Sequence, residues 1–496
     1  MVACLEMRAV GKTTFRRLWR QLVPYVVRTR PMTDLCWECQ RNNEALYRSA
    51  NLPDSVKSAK VIQQQQHLTL VHEERSIYNS MVHDAKLTVA AAVATAGIET
   101  LACNEPCSND FAMHYSFDFA QQVHYPSSPL QPGPMYFLVP RKCGIFGVCC
   151  EALPQQVNYL IDEGMCTSKG SNAVISYLHH FFGKWGLGET ALHLHCDNCS
   201  GQNKNKFMLW YLCWRIICKL HRSATLNFMI SGHTKFAPDW CFGLLKQRYR
   251  RTAVSSLADI AGVVDSSTVV GVNRAEIVGT EDGQVNVPTF DWQAYFQTFF
   301  KPFPGIKSIQ HFRFSADCPG IVFYRATPSS EEQSFQMLRD LSSMPTSVGP
   351  AELAPPGLPF DRQWYLYQKI REFVSSSAQD TTCPKPASPI ETAIVSQHTS
   401  AAVAGPSTSA SATSVPPQTK RKRPTSQLKQ CTKTSKHQTQ CKSKKPTGAH
   451  ETTERTDSVV SVSQSTNPVS LPSSSTVARR SSRSRSGNVR LSDFCI

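Results

Sequence analysis

The sequence predicts an α/β protein: a mixed sheet with flanking helices, a helical N-terminal region before it and a disordered, basic C-terminal tail after it. Three observations predict this. Residues 191–196, ALHLHC, alternate, so that Ala191, His193 and His195 point to one face of a strand and Leu192, Leu194 and Cys196 to the other. A polar, glycine-containing loop then delivers the chain into FMLWYLCWRIICKL, which is apolar nearly all round, as a helix buried on most sides is. Beyond about Thr382 the chain turns to Ser, Thr, Pro, Lys and Gln with almost no large apolar residues, so that it cannot bury enough surface to fold.

The 496 residues carry a formal charge of +16, unevenly placed. From Lys385 onward there are 17 Lys and Arg against 5 Asp and Glu, so +12 of the charge lies in the tail and only about +4 in the body. The charge suits a nucleic-acid partner but mostly reports the tail. Nineteen cysteines in a chain of this length do not make a small disulfide scaffold, and MVACLEMRAVGK has no apolar signal core; reduced thiols of the nucleus or cytosol are expected. The longest apolar run, residues 207–220, is too short to span a bilayer and contains Arg215 and Lys219, so no membrane segment is expected.

Taken in order, GKTT at residues 11–14 is not a phosphate loop, because position 6 is Glu where that motif needs Gly. The chain reaches FRRLWRQLVPYVV almost at once, so an upstream DNA-binding part is expected to precede it. Cys36 and Cys39 have the C-x-x-C spacing that lets two thiolates reach one tetrahedral zinc. A Gln-rich helix follows over residues 55–84. It offers His67 or His72 as a third donor, five residues apart and so not on one face, and Cys103 and Cys107 are further donors. Ordinary buried thiols are the competing reading. Residues 85–100 fit an alanine-rich helix or a linker.

The core begins at HYSFDFAQQVHYP, where alternation puts Asp118 on the opposite face from Tyr115, Phe117 and Phe119. Strands are predicted at residues 135–139, 143–150 and 156–161, a helix at 171–186, the strand at 191–196, the buried helix, and a strand at 224–231. Pro238 then suits the first position of a helix, with Asp239 in its first turn and the basic KQRYRR at its end, in keeping with the helix dipole. Short strand-like pieces follow at residues 267–273 and 284–290, then a hairpin at 311–326 turning at 317–320, and an amphipathic helix within 351–376. The predicted division is residues 1–100, 110–330, 331–383 (a helical extension) and 384–496.

The strings DNCSGQNKN and GHTKFAPDWCFGLLK resemble an uncharacterised, largely transposon-encoded eukaryotic family. Its core is similar to the ribonuclease H-like fold of DDE-type transposases and integrases, and the resemblance covers roughly residues 14–383. It implies a DNA-cleaving or strand-transfer enzyme using Mg²⁺ or Mn²⁺, with Asp118, Asp197 and Asp239 as metal ligands. The chemistry needs such a set, because hard divalent cations are held by carboxylates and activate the attacking oxygen of a phosphodiester. Asp and Asn after a strand are also ordinary turn and cap residues, and Asp239 could simply complement its helix. A rival metal set, His193, His195, Cys196 and Cys199, is disfavoured because strand alternation separates the histidines from Cys196. The alternative function is a catalytically inactive, transposon-derived nuclear protein that binds DNA or protein; the lack of a recognisable helix-turn-helix or complete zinc finger favours it. Lys420, Arg421, Lys422 and Arg423 form a cluster suited to a nuclear import receptor. The expected partners are thus DNA, that receptor and a second copy of the chain, and the expected location is the nucleus.

Overall fold

A computed structural model describes residues 11–23, 35–340 and 349–387, all within the first of the two units into which the chain divides, Met1–Pro406. The basic cluster at residues 420–423 and the rest of the tail beyond residue 387 lie outside the described residues.

Three helices come first: α1 (Lys12–Leu22), α2 (Trp37–Arg48) and the 43-residue α3 (Asp54–Ala96). The alanine-rich stretch therefore continues α3, which ends where Gly97 takes a left-handed φ of 68° that costs a glycine nothing. At 1.5 Å per residue α3 is about 65 Å long. Its buried positions, His67, Glu74, Tyr78, Val82, Ala85 and Val89, recur at helical spacing and form one stripe.

The first strand, β1 (Asn109–Tyr125), pairs antiparallel with β2 (Arg141–Cys150), which pairs antiparallel with β3 (Gln155–Asp162). After α4 (Ser171–Lys184) the chain returns as β4 (Glu189–Cys196), parallel to β1; after α5 (Lys206–Ile217) it returns as β5 (Ser223–Phe228), parallel to β4. Next come α6 (Ala237–Tyr249), α7 (Leu257–Asp265), β6 (Asn273–Ile277), β7 (Thr289–Phe290), α8 (Trp292–Gln297), β8 (His311–Ser315), β9 (Ile321–Arg325) and β10 (Gln333–Gln336). The large sheet has nine strands in the order β10-β9-β8-β5-β4-β1-β2-β3-β6. It is a mixed sheet with helices on both faces.

Alternation along the strands explains the two layers. Phe117, Phe146, Tyr159, Leu194 and Leu226 face a core shared with α4, α5 and α8, including Tyr177, Trp210 and Trp292. Ala120, Ile145 and Leu160 face the other way, under Phe242 and Leu245 of α6 and Ile260 and Val264 of α7. The same second face carries α3, held by a buried polar network. Glu151 accepts hydrogen bonds from Tyr78 Oη (2.5 Å) and Ser116 Oγ (2.8 Å), and His114 Nε2 meets His195 Nδ1 at 2.8 Å beneath the Tyr78 ring. Burial lowers the pKa of His114 to about 3, so both histidines are neutral hydrogen-bonding groups.

Four predicted elements differ, among them the strand-like piece at 284–290, which is a strand only at Thr289–Phe290. Residues 135–139 are not a strand but part of a 3₁₀ turn, Gly133–Phe137, because Pro132 and Pro134 flank its start and fix the local φ; Tyr136 and Phe137 are left exposed. The predicted strand at 267–273 begins only at Asn273. The amphipathic segment within 351–376 is broken into α9 (Phe360–Tyr365), a wide π turn (Leu366–Ile370) and a 3₁₀ turn (Arg371–Phe373). It buries Leu366, Ile370 and Val374, while Trp364 stays partly in solvent. Among the described residues no helix is long and apolar enough to cross a membrane.

Candidate functional site

Asp197 follows directly on β4 and opens a loop in which almost every polar side chain has a task. Its Oδ1 accepts from the Cys199 amide (3.0 Å) and from Asn203 Nδ2 (2.6 Å). Asn198 ties the loop to the end of β5 by donating to the Met229 carbonyl at 2.5 Å. Lys204, buried over the Phe228 ring, donates to Asn198 Oδ1 and Gln310 Oε1, both at 2.9 Å. Burial lowers its pKa to about 8. Asn205 closes the loop as the N-cap of α5, accepting from the amides of Phe207 (3.0 Å) and Met208 (3.1 Å). Asn205→Ala is expected to lower the unfolding free energy by about 1 kcal/mol, the usual cost of losing such a cap, measured by denaturant titration.

Asp118 reaches the same place from β1. Ser116 pairs with His195 across the parallel β1–β4 ladder, and two residues past that pair on each chain stand Asp118 and Asp197. Asp118 Oδ1 accepts from the Phe119 amide at 2.7 Å. On its other side Asp118 is opposite Gly147 of β2, where a Cβ would come within 2.7 Å of the Phe242 ring. The missing side chain lets α6 lie down on the sheet beside Asp118. Asp239, three residues before Phe242, is in the first turn of α6 at the exposed rim, and its Oδ2 accepts from the Phe236 amide (3.1 Å) as half of a capping box.

The three aspartates form one electrostatic neighbourhood. The pKa of Asp118 is raised from 3.8 to about 7, first by burial, then by the charge of Asp197 and, more weakly, of Asp239. Asp239, exposed as a residue, is raised as well by partial desolvation of its carboxylate, against its hydrogen bond from the Phe236 amide and the pull of Lys235, Lys246 and Arg75. No cationic side chain contributes to Asp118. Asn203, whose amide nitrogen holds Asp197, has a buried Oδ1 with no partner among the described residues. Asp118 beside the charge of Asp197, with no cationic side chain acting on it and an unpaired carbonyl oxygen on the neighbouring Asn203, fits a hard divalent ion, whereas Asp239 has Lys235, Lys246 and Arg75 near it. The carboxylates are nonetheless more loosely gathered than expected: the three do not form a set whose ligand atoms all lie within 4.8 Å. Of the three, Asp239 has one carboxylate oxygen engaged in capping its own helix.

A second cluster lies beside the N-terminal third of α3. Cys36 is the N-cap of α2 and Cys39 sits in its first turn; their sulfurs, His67 of α3 and His233 of the turn before α6 present ligand atoms all within 4.8 Å of one another, the one such group of three or more among the described residues. His67 belongs to the buried stripe of α3, whereas His72, five residues on and about 140° round the helix, is exposed and takes no part. Cys103 and Cys107 are elsewhere, their thiols donating to the carbonyls of Gly183 and Lys219. The rival set does not assemble: His195 meets His114, His193 meets Thr225, and Cys196 is in the opposite core. His233 went unrecognised in the sequence, where 166 residues separate it from His67. Its setting in GHTKF, a histidine beside a turn glycine, is the only local cue.

A family model described as "Domain of unknown function (DUF7869)" matches residues 141–330. The matched stretch contains Asp197, His233 and Asp239, while Cys36, Cys39, His67 and Asp118 precede it. Neither the curated proteins nor the solved structures hold a match to the chain.

Proposed function

We propose that this protein is a transposase-derived DNA nuclease or strand-transfer enzyme of the DDE type, with Asp118, Asp197 and Asp239 as its acidic set. The observation that carries the reading is the juxtaposition of Asp118 and Asp197 across β1 and β4, close enough that the charge of Asp197 is felt at Asp118, with Asp239 on the helix that follows β5. The sheet order supports it. Reading β3-β2-β1-β4-β5, with β2 antiparallel to both neighbours and β4 and β5 parallel to β1, matches a ribonuclease H-like core in which an antiparallel portion precedes alternating helices and strands. The first acid is then within the first strand, the second just past the fourth, and the third on the helix after the fifth.

Asp118, Asp197 and Asp239 would hold Mg²⁺ or Mn²⁺, which when bound activates the attacking oxygen and stabilises the leaving oxygen of a phosphodiester. The protein's own part is placement. Asn203 and the Cys199 amide fix one oxygen of Asp197, and the Phe119 amide fixes one oxygen of Asp118, so each carboxylate keeps a second oxygen for a ligand. Release of Asp239 from its cap would complete the set.

The test is strand cleavage of supercoiled plasmid by the purified full chain. Nicked or linear product with Mg²⁺ or Mn²⁺, abolished by a chelator, is expected; a folded preparation that cleaves with neither ion would overturn the proposal. The engagement of Asp239 in capping α6, and the looser gathering of the three acids, favour the second reading, a non-catalytic nuclear protein that binds DNA or protein through the same fold. DNA retention in a gel shift without cleavage would select it. In either case import through Lys420, Arg421, Lys422 and Arg423 is proposed, and replacing the four with alanine is expected to abolish nuclear accumulation of a tagged chain; unchanged accumulation would exclude it.

A further inference from the structure

We propose that Cys36, Cys39, His67 and His233 bind one zinc ion, and that this ion fastens the N-terminal helical hairpin to the turn that launches α6. The separations are those of a tetrahedral site. With Zn–S near 2.3 Å and Zn–N near 2.0–2.1 Å, tetrahedral angles put sulfur and nitrogen about 3.6 Å apart and two nitrogens about 3.3 Å apart. Here Cys36 Sγ is 3.4 Å from His67 Nε2, Cys39 Sγ is 3.4 Å from His233 Nε2, and the two Nε2 atoms are 3.3 Å apart.

Hydrogen bonding alone accounts poorly for this arrangement. Each Nε2 faces both a sulfur and the other Nε2, and one ring nitrogen offers either one proton or one lone pair. A common centre for all four atoms removes the conflict.

The surroundings are those of a built ligand set. Glu38 Oε2 lies 3.3 Å from His67 Nδ1, where it takes the other ring proton and leaves Nε2 free to bind. Cys39 receives a hydrogen bond from Gln64 Nε2 at 3.7 Å, and the Cys39 amide donates to Cys36 Sγ at 3.5 Å. Both cysteines lie at the N-terminal end of α2, Cys36 as its N-cap and Cys39 in its first turn. His233 is held by its main chain, since Arg75 of α3 donates to its carbonyl at 2.7 Å. The preceding Gly232 has φ +80°, and a Cβ there would stand 2.4 Å from Cys36 Cα, so the turn is pressed directly onto the cysteine knuckle.

The ion would thus join segments far apart in the chain, the 36–67 hairpin and residue 233. Three residues after His233 the chain reaches Phe236, the N-cap position of α6, and three more lead to Asp239, whose carboxylate accepts from the Phe236 amide. Zinc here is a positioning device for the third acid; that half of the inference rests on the proposed function, whereas the metal site itself does not.

Elemental analysis of the purified full chain is expected to give about one zinc per chain, lost in Cys36→Ser and His233→Ala and retained in His72→Ala. If either ligand variant fails to fold, cobalt substitution of the unaltered chain still decides: a thiolate-to-cobalt charge-transfer band with the intense visible bands of a tetrahedral site is expected. Folded protein lacking both zinc and that spectrum, or His233→Ala with its full zinc content, would overturn the site. For the positioning half, hydrogen exchange over residues 230–240 is expected to rise at least about tenfold when zinc is removed, as local opening becomes easier. Unchanged exchange there would refute the staple. Neither readout involves DNA cleavage, so loss of the nuclease reading would leave the zinc site standing.

Discussion

Asp197→Asn should lower Mg²⁺-dependent DNA cleavage by at least about 100-fold, since substitutions behind the ligands of a metal already cost roughly 10–100-fold and Asp197 would be a ligand itself. The amide keeps the volume of the carboxylate and can still accept through Oδ1 from Asn203 and the Cys199 amide, so the loop and the α5 cap should survive. What is removed is the negative charge. Asp118→Asn should behave alike, because it takes away the partner across the β1–β4 ladder. Asp239→Asn separates two roles, as its Oδ1 can still cap α6 by accepting from Phe236 while the charge is gone. Cleavage assays with circular dichroism alongside would check all three. Full activity in any one of these variants would remove that residue from the set.

Stability should show the same crowding. A folded-state pKa of about 7 for Asp118, against an ordinary 3.8, means that the folded protein resists ionising this group. The stability it contributes is therefore fully present below about pH 4, falls as pH rises between 4 and 7, and is flat above 7. Asp118→Asn does not ionise, so the metal-free variant should match the unaltered protein at pH 4 and exceed it at pH 8. The gap should be on the order of 2–4 kcal/mol, since each pKa unit is worth about 1.4 kcal/mol. Excess Mg²⁺ should close or reverse that gap at pH 8, because a cation favours the ionised carboxylates and binds only the unaltered site tightly. Thermal unfolding at the two pH values, with and without Mg²⁺, measures it. A variant no more stable than the unaltered protein at pH 8 would mean that burial and the neighbouring Asp197 do not disfavour the ionised form of Asp118.

The elements that could be read from the residues follow from local periodicity. Alternation in ALHLHC and in HYSFDF placed β4 and β1, the all-round apolar run placed α5, and the proline and first-turn acid placed the start of α6; each is a preference of a few neighbouring residues for one face or one dihedral. The C-x-x-C pair was legible from its spacing, but the sequence leaves the choice between His67 and His72 open, and it is made by which of them faces the buried stripe of α3. Local signals failed where prolines outweighed apolar composition, as in the turn at Gly133–Phe137.

The tertiary structure alone decided which separate pieces meet. The neighbourhood of Asp118 and Asp197 depends on the register of two parallel strands 80 residues apart, a property of their pairing rather than of either segment. The descent of α6 beside Asp118 depends on an absent side chain at Gly147. His233 joins the cysteines because Gly232 lets a turn press against Cys36 and because a 43-residue helix carries His67 to that turn. None of these has a signature at short range, since each is a distance between surfaces that exist only once the sheet and its two helical layers have packed.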